Sequence, residues 1–364
     1  VGRDEKMEIV NQNFPDLTNA FAARVNFSHQ SFYLNSEFNY KSDDAIIVIN
    51  QPDNNFVKPG NALLVNFGFS KKGMGFDANV RRMENMSFYS ERKPELYSQN
   101  GGSSSFNYND KIMNYVPALT KQHHYNLANI YVFQAQSKVD FPDPNILKSG
   151  EIGGQFDFFY NFEKGTKLGG KYGTKIALNM ASWNNLSGKY NYYPGNYETD
   201  FFGFGEKYFS DYNIEITKKI TNKWSGNFVY INQYYNKKFL EGGEIVKTNI
   251  VGADATYKFN TSKSVRLQAE HMWADADKKN WASATAEFNL NSKFSMFVMD
   301  MYNYGNSDPE KRHHYYNIGG SFRKNSTRIA LNYGRQRGGL VCVGGVCRFV
   351  PESTGLSLSL NTTF

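Results

Sequence analysis

The sequence predicts an all-β chain folded as a transmembrane, antiparallel up-and-down barrel, and three observations predict it. The last ten residues alternate strictly, with Leu356, Leu358, Leu360, Thr362 and Phe364 on one face and Ser357, Ser359, Asn361 and Thr363 on the other. That is the period of a half-buried strand. In water so apolar a terminal strand is an aggregation-prone edge; in a bilayer it turns one face to lipid and the other to a lumen. The composition agrees: 16% of the 364 residues are aromatic, including 30 Phe and 25 Tyr, yet the mean hydropathy is −0.59. No run approaches the roughly 18 apolar residues of a membrane-spanning helix. Finally, the connections between alternating segments are short and long by turns, the habit of a barrel with tight periplasmic turns and longer outer loops.

Taken in chain order, the strands read as residues 19–28, 32–41, 61–71, 75–82, 125–136, 153–162, 172–183, 207–219 and 224–236. They continue as 248–259, 264–274, 281–290, 293–304, 315–323, 326–337 and the C-terminal segment. The later ones alternate best. Val265, Leu267 and Ala269 oppose Arg266, Gln268 and Glu270, and Ile329, Leu331 and Tyr333 oppose Arg328, Ala330 and Asn332. Tight turns are expected at 72–73, 163–167, 221–223, 260–263, 291–292 and 324–327. Longer outer loops are expected at 137–151, 184–206, 237–247, 275–280, 305–313 and 338–349. For the last strand to end in the periplasm, one more strand is needed, and residues 109–119 supply it, irregular because Pro117 lacks a ladder donor. The count is then roughly 17 within an expected range of 16–18, where even numbers are the rule. Either residues 4–11 form an eighteenth strand or the barrel includes strands upstream of Val1. The charged Arg3–Glu8 stretch favours the second. Residues 1–364 are read as one barrel domain, with 83–122 an insertion that is either a plug or a loop followed by a strand.

Few motifs carry chemistry. Cys342 and Cys347 flank Gly344-Gly345, the composition of a two-residue hairpin turn. They would face each other across the strands, and an oxidising periplasm or cell surface makes a disulfide the expected state. Two cysteines without a partner His are not a zinc site. The pairs His123-His124 and His313-His314 are assigned to the inner and outer rims as polar girdle residues. Asp43-Asp44 and the Asp140/Asp143 cluster lack calcium-loop spacing, so calcium in the outer loops stays an open alternative and no other cofactor is expected. Tyr190, Tyr192, Tyr193 and Tyr197 form an aromatic outer loop, read either as a binding platform or as part of an interfacial belt.

Inward-facing charges include Arg24, Asp77, Arg81, Asp157, Lys175, Arg266, Glu270, Arg323 and Arg328. Rings of charge can select solutes, but this set mixes signs and suits general wetting or salt-bridged filling equally well. The net charge of +7 is scattered through turns, which argues against nucleic acid as a partner. No Ser-His-Asp order, nucleophile elbow, phosphate loop or metal-hydrolase helix is present, and no enzyme is expected.

The C-terminal aromatic ending resembles the outer-membrane barrels of Gram-negative bacteria, whose final strand is read by the assembly machinery. On that resemblance Leu356, Leu358, Leu360 and Phe364 form an assembly signal. Residues 114–129 (NYVPALTKQHHYNLAN) and 342–364 resemble an uncharacterised porin-like barrel family of Bacteroidota-type outer membranes. That resemblance implies localisation in a bacterial outer membrane, with the bilayer, lipopolysaccharide and the assembly machinery as partners, and other outer-membrane proteins as further candidates. The leading expected function is passage of polar solutes through the lumen. The alternatives are a non-conducting subunit of a larger outer-membrane assembly or secretion complex, and a surface ligand-binding barrel. Replacing Phe364 with Ser is expected to lower the amount of folded protein recovered in outer membranes; unchanged levels would contradict the assembly-signal reading.

Overall fold

The computed structural model describes residues 2–3, 9–11, 15, 17–46, 56–89, 112–114, 121, 123–343 and 346–363. Fifteen strands form one antiparallel sheet: β1 Ala20–His29, β2 Phe32–Ile46, β3 Phe56–Lys71, β4 Met74–Glu84 and β5 Gly150–Phe162. The order continues with β6 Thr174–Asn191, β7 Asn196–Lys219, β8 Trp224–Asn236, β9 Ile245–Lys258 and β10 Ser264–Ala274. It ends with β11 Trp281–Asn289, β12 Phe294–Tyr302, β13 His314–Lys324, β14 Thr327–Gln336 and β15 Ser353–Asn361. Each strand pairs with its neighbour in sequence, and the edge strands β1 and β15 are not hydrogen-bonded to each other.

The period-two alternation becomes two chemically different faces. One register row crosses the sheet as Ala255, Leu267, Ala286, Val298, Ile318, Tyr333 and Leu356. The adjacent row runs Asn227, Asp254, Gln268, Thr285, Met299, Asn317, Gly334 and Gly355. The first faces outward, and its large side chains are exposed. An apolar surface of this extent belongs against lipid. Aromatic pairs gather near the short-turn end, among them Trp224–Tyr257, Phe294–Phe322 and Tyr160–Phe162, each with ring centres 4.8–4.9 Å apart. They form the girdle expected where strands enter the interface. The wall is that of a transmembrane β-barrel.

Connections at one end are tight. The β3–β4 turn has Gly73 at φ +85°, a conformation that favours glycine. The opposite, outer end carries the long connections, including the one-turn helix α1 Lys237–Leu240 and the hairpin Gly339–Val343/Val346–Val350. The expected 184–206 loop is largely strand: β6 and β7 continue outward as a hairpin, with Gly188 opposite Thr199 and Asn191 opposite Asn196.

Two expected strands are not in the sheet. Within 109–119 the described residues Ile112–Asn114 pair with Ser87–Tyr89, away from the main sheet; the rest of that segment lies outside the described residues. Residues 125–136 contain no strand and hold a single 3-10 turn, Leu127–Asn129. Among the described residues, fifteen strands in the main sheet therefore stand against the expected roughly 17. Removing two leaves the directions unchanged, so β1 still begins at the outer end. The expected strand over 4–11 overlaps the short pairing of Gly2–Arg3 with Ile9–Asn11, which is also separate from the main sheet.

Residues 123–137 instead lie against the inner face. Tyr125, Leu127, Tyr131 and Phe133 pack with Trp183, Phe209, Val229, Ile250 and Trp281 in the largest apolar cluster among the described residues. Gly252 makes the room: a Cβ there would stand 2.6 Å from the Tyr125 ring.

Leu358 lies mid-strand on the outward face and is 70% exposed. Leu358→Arg is expected to destabilise the folded barrel by about 2–4 kcal/mol in equilibrium refolding from lipid vesicles. An unchanged midpoint would mean that this face does not meet lipid.

A plugged lumen as the candidate functional site

A segment without strand partners carries backbone groups that must be satisfied when buried. In residues 123–137 the wall supplies the partners, mostly as carboxylates. Glu270 on β10 accepts the backbone N–H groups of Asn126 (3.1 Å) and Leu127 (2.8 Å). Asn126 makes no side-chain cap of its own, so Glu270 does that work at the positive end of the turn. Asp254 on β9 accepts from the Tyr125 hydroxyl at 3.1 Å, and is fixed in turn by Asn227 and Arg266. Asp211 on β7 pairs with His123 at 2.7 Å and accepts from Gln233, which also donates to the Ala128 carbonyl. Asn129 folds back to donate to the carbonyls of His123 and Tyr125. Near the exit, Glu151 accepts from the Gln136 N–H at 2.7 Å and pairs with Arg81, whose guanidinium lies 3.9 Å from the centre of the Trp183 ring.

A second set of bonds ties the plug to outer loops. The Tyr131 hydroxyl donates to Asp277 at 3.0 Å, and Lys237 donates to the same carboxylate at 2.7 Å. Arg337 donates to the Asn129 carbonyl at 3.3 Å. Burial and the neighbouring Asp277 push the Tyr131 hydroxyl pKa well up. Burial alone would raise Asp277, but the bond and charge of Lys237 outweigh it and hold the carboxyl below its ordinary range.

The plug does not fill the lumen. A cavity of about 660 Å³ remains, lined by the plug and by residues of β5–β8 and β12–β15. Strands so distant in sequence meet at one cavity because the sheet curls. The β13–β15 side presents Asn317, Asn332, Gly334, Ser353, Gly355 and Ser357.

All nine expected lumen residues lie on the inner register rows, but they do not form a ring around an open pore. Arg81 and Glu151 are a fully buried pair. Arg266 is shared by Asp254 and Glu287, and Glu270 caps the plug. Arg24 pairs with Glu37, Asp77 accepts from Tyr33, and Asp157 accepts from Gln155. The Lys175 ammonium sits 4.8 Å from the centre of the Phe159 ring. Arg323 and Arg328 face each other, exposed, at the short-turn mouth.

The tyrosine loop is corrected in the same way. Tyr197 is 1% exposed and stacks on Tyr190, with Phe141 and Phe56 against them; Tyr192 packs on that cluster. Only Tyr193, 73% exposed, stands free as a platform residue would. His123 and His124 are plug residues, not rim residues, and His124 contacts Arg266. Asp44 pairs with Lys41, and Asp140 lies between Lys138 and Lys148, so these acids already have cations. The hairpin register sets Cys342 directly opposite Cys347. Leu356, Leu358 and Leu360 face outward as expected, while Phe364 lies outside the described residues.

Sequence reasoning offered a plug at 83–122 but read 125–136 as a strand, and it missed the anchors Asp211, Asp277 and Arg337. A signal was present: Asp254 and Glu270 fall on inner rows of neighbouring strands, and buried acids require donors.

The chain belongs to DUF6029, a family of unknown function, which matches over residues 1–364. No curated protein matches it. Among solved structures it is similar to mutant porins of Rhodopseudomonas blastica. One shows 9% identity and a TM-score of 0.35, covering 87% of this chain and 83% of the porin. The siderophore receptor PirA from Acinetobacter baumannii shows 10% identity and a TM-score of 0.39, covering 95% of this chain and 60% of the receptor. Likeness this weak assigns neither function nor ligand.

Glu270→Ala leaves two plug N–H groups without acceptors, at about 1–3 kcal/mol each. Chymotrypsin is expected to cut the folded variant within residues 123–137 faster than wild type; equal rates would mean that Glu270 does not hold the plug. Because the folded-state pKa of Asp277 is lowered, its contribution is fully present above the unfolded value of about 3.9. It is lost as pH falls through the lower folded value. Protection of Tyr131 from cleavage by an acid-active protease should therefore persist at about pH 5 and fall away below the ordinary Asp range, and Asp277→Asn should abolish that acid step.

Proposed function

We propose that this chain is a bacterial outer-membrane barrel that passes small polar solutes along the gap between its plug and the β12–β15 wall. One observation carries the reading: the cavity of about 660 Å³ whose β13–β15 side presents Asn317, Asn332, Gly334, Ser353, Gly355 and Ser357, with Met299 and Met301 of β12 beside them. Amides and hydroxyls that line a gap offer a small polar solute exchangeable hydrogen bonds, as a passage requires. The apolar outer face and the asymmetry between tight turns and long loops support the outer membrane as its location, with lipopolysaccharide and the assembly machinery as its partners. The proposed work is passage, not catalysis. Cys342 and Cys347 are proposed to form a disulfide that stiffens the loop following Arg337; thiol alkylation should then require prior reduction.

A second reading, a non-conducting subunit or ligand-binding barrel, is favoured by the bonds from the plug to the outer loops through Asp277 and Arg337. A partner seated on those loops would act on the plug directly. Single-channel recording in planar bilayers separates the two. The passage reading expects small, steady, salt-dependent openings, enlarged in Glu270→Ala. Silence from folded wild type and variant alike would leave the non-conducting reading.

A further inference from the structure

Arg337 stands apart from the other charges around the cavity. Lys121 pairs with Glu215, His123 with Asp211, and Arg335 with Glu352. Arg337 also lines the cavity, yet among the described residues it forms no ion pair and donates only to the backbone carbonyls of Asn129 and Gly338, at 3.3 and 3.2 Å. Both bonds are long, and neither acceptor carries charge. Of the nearby acids, Asp277 is paired with Lys237 and accepts from Tyr131, and Glu241, which accepts from the Tyr235 hydroxyl, acts on Arg337 only at a distance and makes no ion pair with it. Lys278 adds a further cation close enough to feel the Arg337 charge. Taking a cation out of water without a counter-charge is costly, and burial depresses the Arg337 pKa accordingly. A bound anion would relieve that cost.

The rest of the lining defines the body of such an anion. Asn317, Asn332, Gln336 and Ser353 line the same cavity on the wall side. Gly355 leaves open space there, with nothing within 4 Å of where a Cβ would stand. Amides and hydroxyls match a ligand bearing hydroxyl groups, and the volume falls within the roughly 300–1,000 Å³ of small-molecule sites. A single guanidinium with no carboxylate in contact suits one planar carboxylate.

We infer that the gap beside the plug is a binding site for a small hydroxylated monocarboxylate, held by Arg337 at its charged end and by the Asn317/Asn332/Ser353 wall along its body. The inference deepens the passage reading and rests on it for the direction of travel, although binding itself does not require conduction.

Calorimetric titration of the full-length, detergent-folded protein with potassium gluconate tests it, with glucose as the uncharged counterpart. Gluconate is expected to bind saturably, and glucose at least about tenfold more weakly, the size of effect a charge-assisted hydrogen bond gives. Arg337→Gln should erase the preference, Arg337→Lys should retain part of it, and Lys311→Gln, an exposed outer-loop change, should leave it intact. Equal affinity for gluconate and glucose in wild type overturns the site, as does a preference that survives in Arg337→Gln. Should Arg337→Gln fail to fold, the wild-type comparison and Arg337→Lys decide. Gluconate binding by a barrel that stays silent in bilayers keeps the site and removes the passage reading; openings without gluconate preference do the reverse.

Discussion

A backbone polar group buried away from water must find its partner within the protein, and both the wall and the plug answer to that constraint. In the wall the answer is the antiparallel ladder, unbroken between sequence neighbours from β1 to β15. Residues 123–137 form no ladder with the wall and take side chains as partners instead. Glu270 and Glu151 accept their N–H groups, Gln233 and Arg337 donate to their carbonyls, and Asp254 and Asp211 hold their side chains. The charges on the inner rows are thereby structural first, and only what they leave unneutralised is available to a solute.

This division of labour explains why the inner face is both charged and closed. The β7–β10 side carries the acids and the apolar residues that grip the plug, while the β13–β15 side carries glycines, serines and asparagines that do not. The asymmetry leaves the remaining space on one side. The plug also meets the outer loops, through the bonds of Tyr131 to Asp277 and of Arg337 to Asn129, so the same segment is held from the wall and from above.

The wall was legible in the sequence because its code is local. Period-two alternation fixes which residues share a face, and Leu356, Leu358 and Leu360 face outward as that rule requires. All nine inner residues read from alternation lie on inner rows for the same reason. The plug was illegible because its code is not local. Tyr125, Leu127, Tyr131 and Phe133 are spaced at multiples of two, and that spacing imitates a strand. What makes them a plug is a notch at Gly252 and carboxylates more than a hundred residues away, such as Asp254 for Tyr125 and Glu270 for Leu127. The aromatic loop failed similarly: Tyr190 and Tyr197 are strand residues whose partner Phe141 arrives from a separate hairpin. Composition alone could not tell a binding face from a buried contact.

Glu84 ends β4 and Gly150 opens β5, and those two residues are direct partners in the β4–β5 ladder. The plug residues 123–137 thus belong to an insertion between strands that neighbour each other in the wall. The length of that insertion places no demand on the register on either side of it, so the wall and its contents answer to separate rules.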